Sequence, residues 1–287
     1  MPRYDTVSFL SDFGTDDEFV GVVKSVLRNL APHVTVVDLT HGITPFDVKA
    51  GGLALARASQ YLAPGVVLAV VDPGVGTDRR AVAIEVAGGD GVFVGPDNGL
   101  LASAVAMVGG AERAVALTNP EYQLEAPGAT FAGRDVFAPA AAHLANGVPF
   151  DELGEAVDTH SLLPGVLPVM ERRGDEVKAE VLWVDRFGNA QLNLGLDDLE
   201  GFGEVVSLRL PNGLRRARVV RTYGAIPPGE VGLVVDSYGL LAVCLDRQSA
   251  FVELGLDVGE GVTLEPADER GHSSPVTLRS GPSRTRP

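Results

Sequence analysis

The feature that most limits the fold is a change of pattern near residue 165. Before it, β-rich runs such as TVSFL, VTVVDL, VVLAVVD, VAIEV and GVFVG alternate with amphipathic stretches at helical spacing. These stretches predict helices over about Asp17–Leu30, Val48–Gln60, Gly99–Val108 and Ala138–Ala145. Strands interleaved with helices in this way fold as an α/β domain around a central mixed sheet. After LLPGVLPVM, which holds two prolines and no clear period, the pattern changes. EVKAEVLWVD, AQLNL, VVSLRL, RRARVVRTY, GEVGLVVD, LLAVCL and GVTLE read as strands parted by Gly, Pro, Asn and Asp turns. Short strands with almost no helix predict an all-β, barrel-like domain. The expected division is therefore 1–165 for the α/β domain and 166–267 for the β domain. The stretch 268–287 has 9 Ser, Pro or Gly among 20 residues, a composition too poor in apolar groups to order a core.

Composition narrows the partners. The chain of 287 residues carries 23 Lys plus Arg against 38 Asp plus Glu, a formal charge of −15. That balance argues against nucleic acid, whose phosphates need clustered cations, and permits a cationic small ligand. No apolar run approaches the roughly 18 residues of a membrane span, and the start of the chain lacks the apolar core of a signal peptide. The expected location is the cytoplasm. The single cysteine, Cys244, sits in the apolar run LLAVCL and reads as a buried structural thiol. Histidines 33, 41, 143, 160 and 272 have no compact ligand spacing, which argues against a histidine metal centre and leaves only carboxylates for magnesium.

Five motifs carry candidate chemistry. In SDFGTDD, Asp12 stands at the carboxyl end of a strand, where open α/β sheets place ligands. A carboxylate there can accept both hydrogen bonds of a vicinal diol, although helix capping accounts equally for Asp12 and better for Asp16 and Asp17. In VVDPGVGTDRR, a buried run delivers Asp72 to a Pro-Gly-Val-Gly loop, with Arg79 placed to keep it ionised, although for the motif alone a tight turn with a surface arginine is the better account. No Gly-Lys-Ser/Thr follows, so this is not a Walker loop. In VGPDNGLL, Asp97 and Asn98 suit ligand binding and an Asx turn about equally. In TFAGRD, Gly133 allows close approach, and Arg134 with Asp135 reads as an ion pair. In VDRFGNAQLN, Asp185, Phe187 and Asn189 offer a carboxylate, an aromatic face and an amide around a glycine, a set that can hold an adenine. Phe46, in THGITPFD, offers a second aromatic face, and core packing would explain either ring.

Taken in order, SDFGTDD, THGITPFD, VVDPGVGTDRR, VGPDNGLL, TFAGRD and DRFGNAQLN resemble the S-adenosylmethionine hydroxide adenosyltransferase family, relatives of the fluorinating and chlorinating enzymes. The resemblance covers about residues 5–265. It implies an α/β domain followed by a β-barrel, and a homotrimer that binds ligand between neighbouring subunits. It also implies hydrolysis of S-adenosylmethionine to adenosine and methionine with no cofactor. Under it, Asp12 would hold the ribose hydroxyls and Phe46 would flank the sugar and base. Asp185 would meet the methionine ammonium, with Phe187 and Asn189 lining the nucleoside pocket. Ser237, in DSYG, would bind the methionine carboxylate, although the family's preceding Asn is here Asp236. Asp72 and Arg79 match the first two members of the family's Asp-Arg-His set, but its histidine position is Ala132. Losing an acid–base histidine costs on the order of 10²–10⁴ in rate.

The halogenating relatives have tyrosine at the position of Asp72, and the fluorinating branch has serine at that of Gly133. The fluorinase-type extended loop is also absent between Val86 and Val92. An anion at about 4 Å from an ionised Asp72 would be opposed by roughly 4 kcal/mol at an effective dielectric of about 20, so water is the expected nucleophile. Three other readings compete: an S-adenosylmethionine or adenosine binder without turnover, a metal-dependent phosphohydrolase built on Asp12, Asp16 and Asp17, and a halogenase.

Overall fold

The computed structural model describes residues 3–267; the composition-biased stretch 268–287 lies outside them. The chain forms two compact units, one ending at Leu167 and the next beginning at Pro168. The first unit holds seven strands: β1 (Thr6–Ser11), β2 (Thr35–Thr40), β3 (Gly65–Val70), β4 (Ala81–Val86), β5 (Gly91–Pro96), β6 (Arg113–Ala116) and β7 (Glu155–Val157). Its helices are α1 (Phe19–Leu30), α2 (Val48–Ser59), α3 (Ala102–Met107) and α4 (Ala138–Ala145), the last entered through a π-helical turn over Gly133–Phe137.

The strands lie in the order β2-β1-β3-β5-β4-β6-β7. The pairs β1–β2, β1–β3 and β3–β5 are parallel, and β4 adds antiparallel partners at the far side. The sheet is mixed, as the alternation of strands and helices predicts. β3 is apolar at every position because both its faces are covered. Val66, Leu68 and Val70 join Val23 and Leu27 of α1 and the alanine-rich α4 in one core. Val67 and Ala69 face the opposite core, with Leu55 of α2 and Ala104 and Val105 of α3. The result is three layers, helix–sheet–helix.

Two details differ from the expectations. α1 starts at Phe19, and its Glu18 cap makes no side-chain bond to the helix, so Asp16 and Asp17 remain in the preceding loop. α3 starts three residues later than its pattern suggests, because Asn98 first accepts the Leu100 N–H at 3.1 Å and closes a turn. The short strands β6 and β7 carry too few residues for a periodic signal.

The second unit contains β8 (Glu171–Arg173), β9 (Glu176–Val184), β10 (Ala190–Leu192), β11 (Val205–Leu210), β12 (Gly213–Val220), β13 (Val231–Val235), β14 (Leu241–Leu245) and β15 (Gly261–Pro266). A short helix, α5 (Ala250–Leu254), is capped by the Ser249 hydroxyl and stopped by Gly255 at φ 66°. The pairing runs β9-β10-β14-β13-β12-β11-β15 and returns to β9, closing a seven-stranded barrel, with β8 added on β9. Alternate residues, including Val206 and Leu208, Leu233, Leu241 and Val243, Val262 and Leu264, fill its interior. Cys244 points to the other face, under Ile226. Burial pushes its thiol up to about 12, with the negative charges of Asp185 and Asp236 adding to the effect. It is an inert packing group.

A Cβ on Gly95 would stand 2.3 Å from the Ala69 carbonyl oxygen, a backbone atom of the neighbouring strand. Gly95→Ala is therefore expected to cost about 2–3 kcal/mol, read as an earlier denaturant midpoint for the first unit.

Candidate active site

The ligand crevice of an open α/β sheet lies beyond the carboxyl ends of its strands, where the chain order reverses. Here that point is β1, flanked by β2 and β3. Ser11 pairs with Val70, so the next residues of both strands emerge side by side. They bring Asp12 and Asp72 to the floor of one cavity of about 440 Å³. Phe13, Asp17, Phe19, Pro45, Phe46, Phe131, Ala132 and Gly133 also line it. Five sequence candidates thus converge on one unit: Asp12, Phe46, Asp72, Ala132 and Gly133.

Arg79 returns to Asp72 through the glycine loop and binds it with both faces of the fork. Its Nε donates to Oδ1 at 2.8 Å and its second nitrogen donates to Oδ2. The guanidinium carbon stacks 5.1 Å from the Phe137 ring centre. The Asp72 side chain is only 6% exposed, so the pair is held in a largely water-free wall. Each carboxylate oxygen has a second lone pair, which leaves Asp72 able to accept from a ligand or a water while Arg79 stays bound.

Asp12 is fixed differently. Its Oδ2 accepts the Phe46 N–H at 2.8 Å. Burial pushes its carboxyl above the ordinary value and the charge of Asp72 adds to this, while the bond from Phe46 offsets part. Phe46 has φ 69° and is 72% exposed. A large aromatic in the left-handed region costs about 1–2 kcal/mol, and strain of this kind clusters at ligand sites. Across the cavity, Phe13, Phe19 and Phe131 pack edge to face or tilted, with ring centres 5.1–5.9 Å apart. In the sequence each of these three rings reads as core. A Cβ at Gly133 would meet Phe13 Cζ at 2.9 Å, so glycine there lets the aromatic wall close up. Arg134 and Asp135 form the expected ion pair, at 2.5 Å.

Asp97 and Asn98 lie outside the cavity lining. Asp97 accepts from Arg80 Nε and from the Leu163 N–H, each at 2.8 Å. Asn98 donates to the Val71 carbonyl at 2.9 Å and so holds the backbone that leads into Asp72.

In the barrel, Asp185, Asn189 and Ser237 line one polar pocket of about 140 Å³, with Trp183, Gln191, Tyr223, Asp236 and Tyr238. Two loops of the same design form it, Asp185-Arg-Phe-Gly and Asp236-Ser-Tyr-Gly. In the first, Asp185 Oδ1 accepts the N–H groups of Phe187 and Asn189 at 2.8 and 2.9 Å. In the second, Asp236 Oδ1 accepts those of Tyr238 and Leu240 at 2.8 and 3.1 Å. Gly188 and Gly239 take φ 85° and 83°. Each loop presents an aromatic, and Phe187 is 79% exposed at the tip of its own. The repeated Asp-X-aromatic-Gly spelling is a signal that one-motif reading overlooks. Asp236 also accepts from Gln191 through its second oxygen. An Asn there would keep the loop bonds, with its amide facing a flipped Gln191, so the Asp236 departure preserves the loop.

Among the described residues, no three His, Cys, Asp or Glu side chains converge to hold a metal ion. Asp12, Asp16 and Asp17 do not converge into such a group.

Residues 7–154 match the model of the SAM hydroxide adenosyltransferase N-terminal domain, and residues 179–263 match that of its C-terminal domain. The chain belongs to this family. It is 47% identical over 266 residues to the (R)-S-adenosyl-L-methionine hydrolase of Thermus thermophilus, covering 90% of this chain and 98% of that one. It is 45% identical over 258 residues to the protein of the same name from Salinispora tropica, covering 88% and 95%. A fluorinase from an Actinoplanes species is 28% identical over 291 residues, covering 91% and 97%. Among solved structures, an uncharacterized conserved protein from Thermotoga maritima superposes with a TM-score of 0.83 at 33% identity, covering 90% of this chain and 99% of that one. No helix among the described residues is long and apolar enough to cross a membrane.

Two outcomes follow from the electrostatics. A raised folded-state pKa means that the fold favours protonated Asp12. That stabilisation is complete below the ordinary carboxylate range and is lost as pH rises through the raised value. Asp12→Asn keeps an acceptor for the Phe46 N–H, so it should unfold at a higher temperature than the parent at pH 7. The gap should close on acidification, as melts between about pH 8 and pH 4 would show. Asp72→Asn, by contrast, leaves the Arg79 charge buried without its partner. It should cost about 3 kcal/mol in denaturant unfolding.

Proposed function

We propose that this protein hydrolyses S-adenosylmethionine to adenosine and L-methionine, by in-line attack of water on C5′. The observation that carries the reading is Asp72, an arginine-paired carboxylate on the floor of a cavity bounded by aromatic rings. A fixed negative charge there favours a sulfonium substrate and a water, and opposes a halide. The near full-length relatives named as hydrolases support the same choice over the more distant fluorinase.

In this scheme Asp72 accepts a hydrogen bond from the attacking water and aligns a lone pair with C5′. Arg79 holds Asp72 in place through both carboxylate oxygens. The pair orients the water rather than deprotonating it, because both carboxylate oxygens are already engaged by the arginine. As the C5′–O bond forms, the C5′–S bond breaks and its electrons return to the thioether of methionine. The water's second proton leaves to solvent after the bond is made. The sulfonium is already a good leaving group, so catalysis rests on position and on a partly dried nucleophile. Asp12 would take the ribose hydroxyls and Phe46 would flank the sugar and base. Asp185, Asn189, Phe187 and Ser237 would serve the base and methionine ends. No cofactor enters this scheme. The R configuration at sulfur in the relatives' name is proposed for the substrate here as well. A homotrimer is proposed from the family resemblance, and sedimentation would test it. A cytoplasmic location is proposed, and cell fractionation would test it.

Ala132 sets the rate. It occupies the family's histidine position and has no side chain that can exchange a proton, so turnover is proposed to be slow. Incubation with S-adenosylmethionine racemic at sulfur should release adenosine and methionine and deplete the R epimer. Ala132→His should raise the rate by on the order of 10²–10⁴, and free imidazole should partly restore it in the parent. Tight binding with no adenosine from either form would instead establish a binder. Chloride-dependent formation of 5′-chloro-5′-deoxyadenosine would establish a halogenase.

A further inference from the structure

Of the buried polar residues in the first unit, His41 has no part in the scheme above. It lies just after β2, 7% exposed. Its Nδ1 is 2.8 Å from Ser11 Oγ, itself fully buried at the end of β1. Its Nε2 faces Asp38 Oδ1 at 3.2 Å, and Asp38 in turn binds Lys24 of α1 at 2.8 Å. The ring stands edge-on to buried Phe9, centres 4.6 Å apart.

This resembles a serine–histidine–aspartate relay, but the buried serine offers no attacking position. The local backbone suggests a different use. Where β1 pairs with β2, Phe9 stands opposite Asp38 and Leu10 opposite Thr40, so β2 carries one extra residue at Leu39. Such a bulge re-aims the side chains that follow it, and here it sets His41 beside Ser11. Three bonds then tie the end of β1 and the loop after it to the loop after β2. They are Ser11 Oγ to His41 Nδ1, the Gly14 N–H to the His41 carbonyl at 2.8 Å, and the Phe46 N–H to Asp12 Oδ2 at 2.8 Å. At its far end the second loop is fixed by Asp47, whose Oδ1 accepts the Ala50 N–H at 2.8 Å and caps α2.

We propose that His41 is a positioning residue for the ligand site, acting through Ser11 to hold the Asp12 and Phe46 loops in register. The Ser11 bond anchors the near end of the loop as the Asp47 cap anchors the far end. Between these two anchors Phe46 is held at its strained φ, with its N–H on Asp12. Nε2 lies near Asp38 but outside hydrogen-bond alignment, so the bond that bears on the loops is the one at Nδ1. The proposal rests on the hydrolase reading for what the loops bind, and not for how they are held.

Asparagine places an amide where Nδ1 stands, and glutamine reaches only the Nε2 position, so the two substitutions separate the two contacts. His41→Asn should keep the parent's adenosine affinity in calorimetry. His41→Gln and Ser11→Ala should each weaken it by about five- to tenfold, and their combination should be no worse than either, because both remove one bond. On the unliganded chain, Ser11→Ala and His41→Gln should speed hydrogen exchange at the Phe46 amide while leaving the β3 and β5 amides protected. Equal effects of His41→Asn and His41→Gln, or a Ser11→Ala chain with unchanged Phe46 exchange, would overturn the proposal. Ser11→Ala carries the test by itself if the His41 variants do not fold. A parent chain that binds no adenosine counts against the hydrolase reading alone, since the amide exchange is read without ligand.

Discussion

The parallel register between β1 and β3 governs the site. Ser11 lies opposite Val70, and this single alignment brings Asp12 and Asp72 out at the same edge of the sheet. Two carboxylates in one crevice repel, and each is stabilised in its own way. Asp72 is paired with a bidentate arginine. Asp12 has no cation partner, and burial together with the nearby charge of Asp72 raises its proton affinity, which the bond from the Phe46 N–H offsets in part. A crevice lined by an arginine-paired carboxylate and a second one that burial makes easier to protonate suits a cationic ligand, which would offset the burial of Asp12 as it binds.

The supports around these two groups are polar bonds placed just outside the cavity. Asn98 grips the carbonyl before Asp72. His41 and Ser11 tie together the loops that bear Asp12 and Phe46. In the barrel, Asp185 and Asp236 each bind two N–H groups of their own loop, which fixes the pocket's walls before any ligand arrives. Site residues on loops keep their geometry only when neighbouring groups hold them in this way. Ala132 is the exception. It is a position in the cavity wall where the chain supplies backbone and no functional group.

Much of this was legible in the sequence because the signals were strong. The apolar runs of β1, β3 and β5, the helices α2 and α4, and the shift to short strands beyond residue 165 follow from periodicity and turn residues. Asp12, Asp72 and Arg79 were legible because charge beside glycine, at the end of a buried strand, rarely serves the core. Other groups carried no such mark. Phe13, Phe19 and Phe131 have the same spelling as core residues, and only packing sets them around a cavity. Asp97 and Asn98 look like ligands by position, yet their side chains are engaged by Arg80, Leu163, Val71 and Leu100.

By itself the sequence determined the two-part architecture, the strand ends that carry the carboxylates, and the absence of an imidazole at position 132. These depend on local pattern and residue identity. Tertiary structure alone decided that Asp12 and Asp72 share a floor, that the seven strands of the second unit close on themselves, and that a bulge at Leu39 turns His41 onto Ser11. Each of these is a matter of register between segments distant in the chain. Register is set by the packing of both strand faces at once, and no single segment's sequence records it.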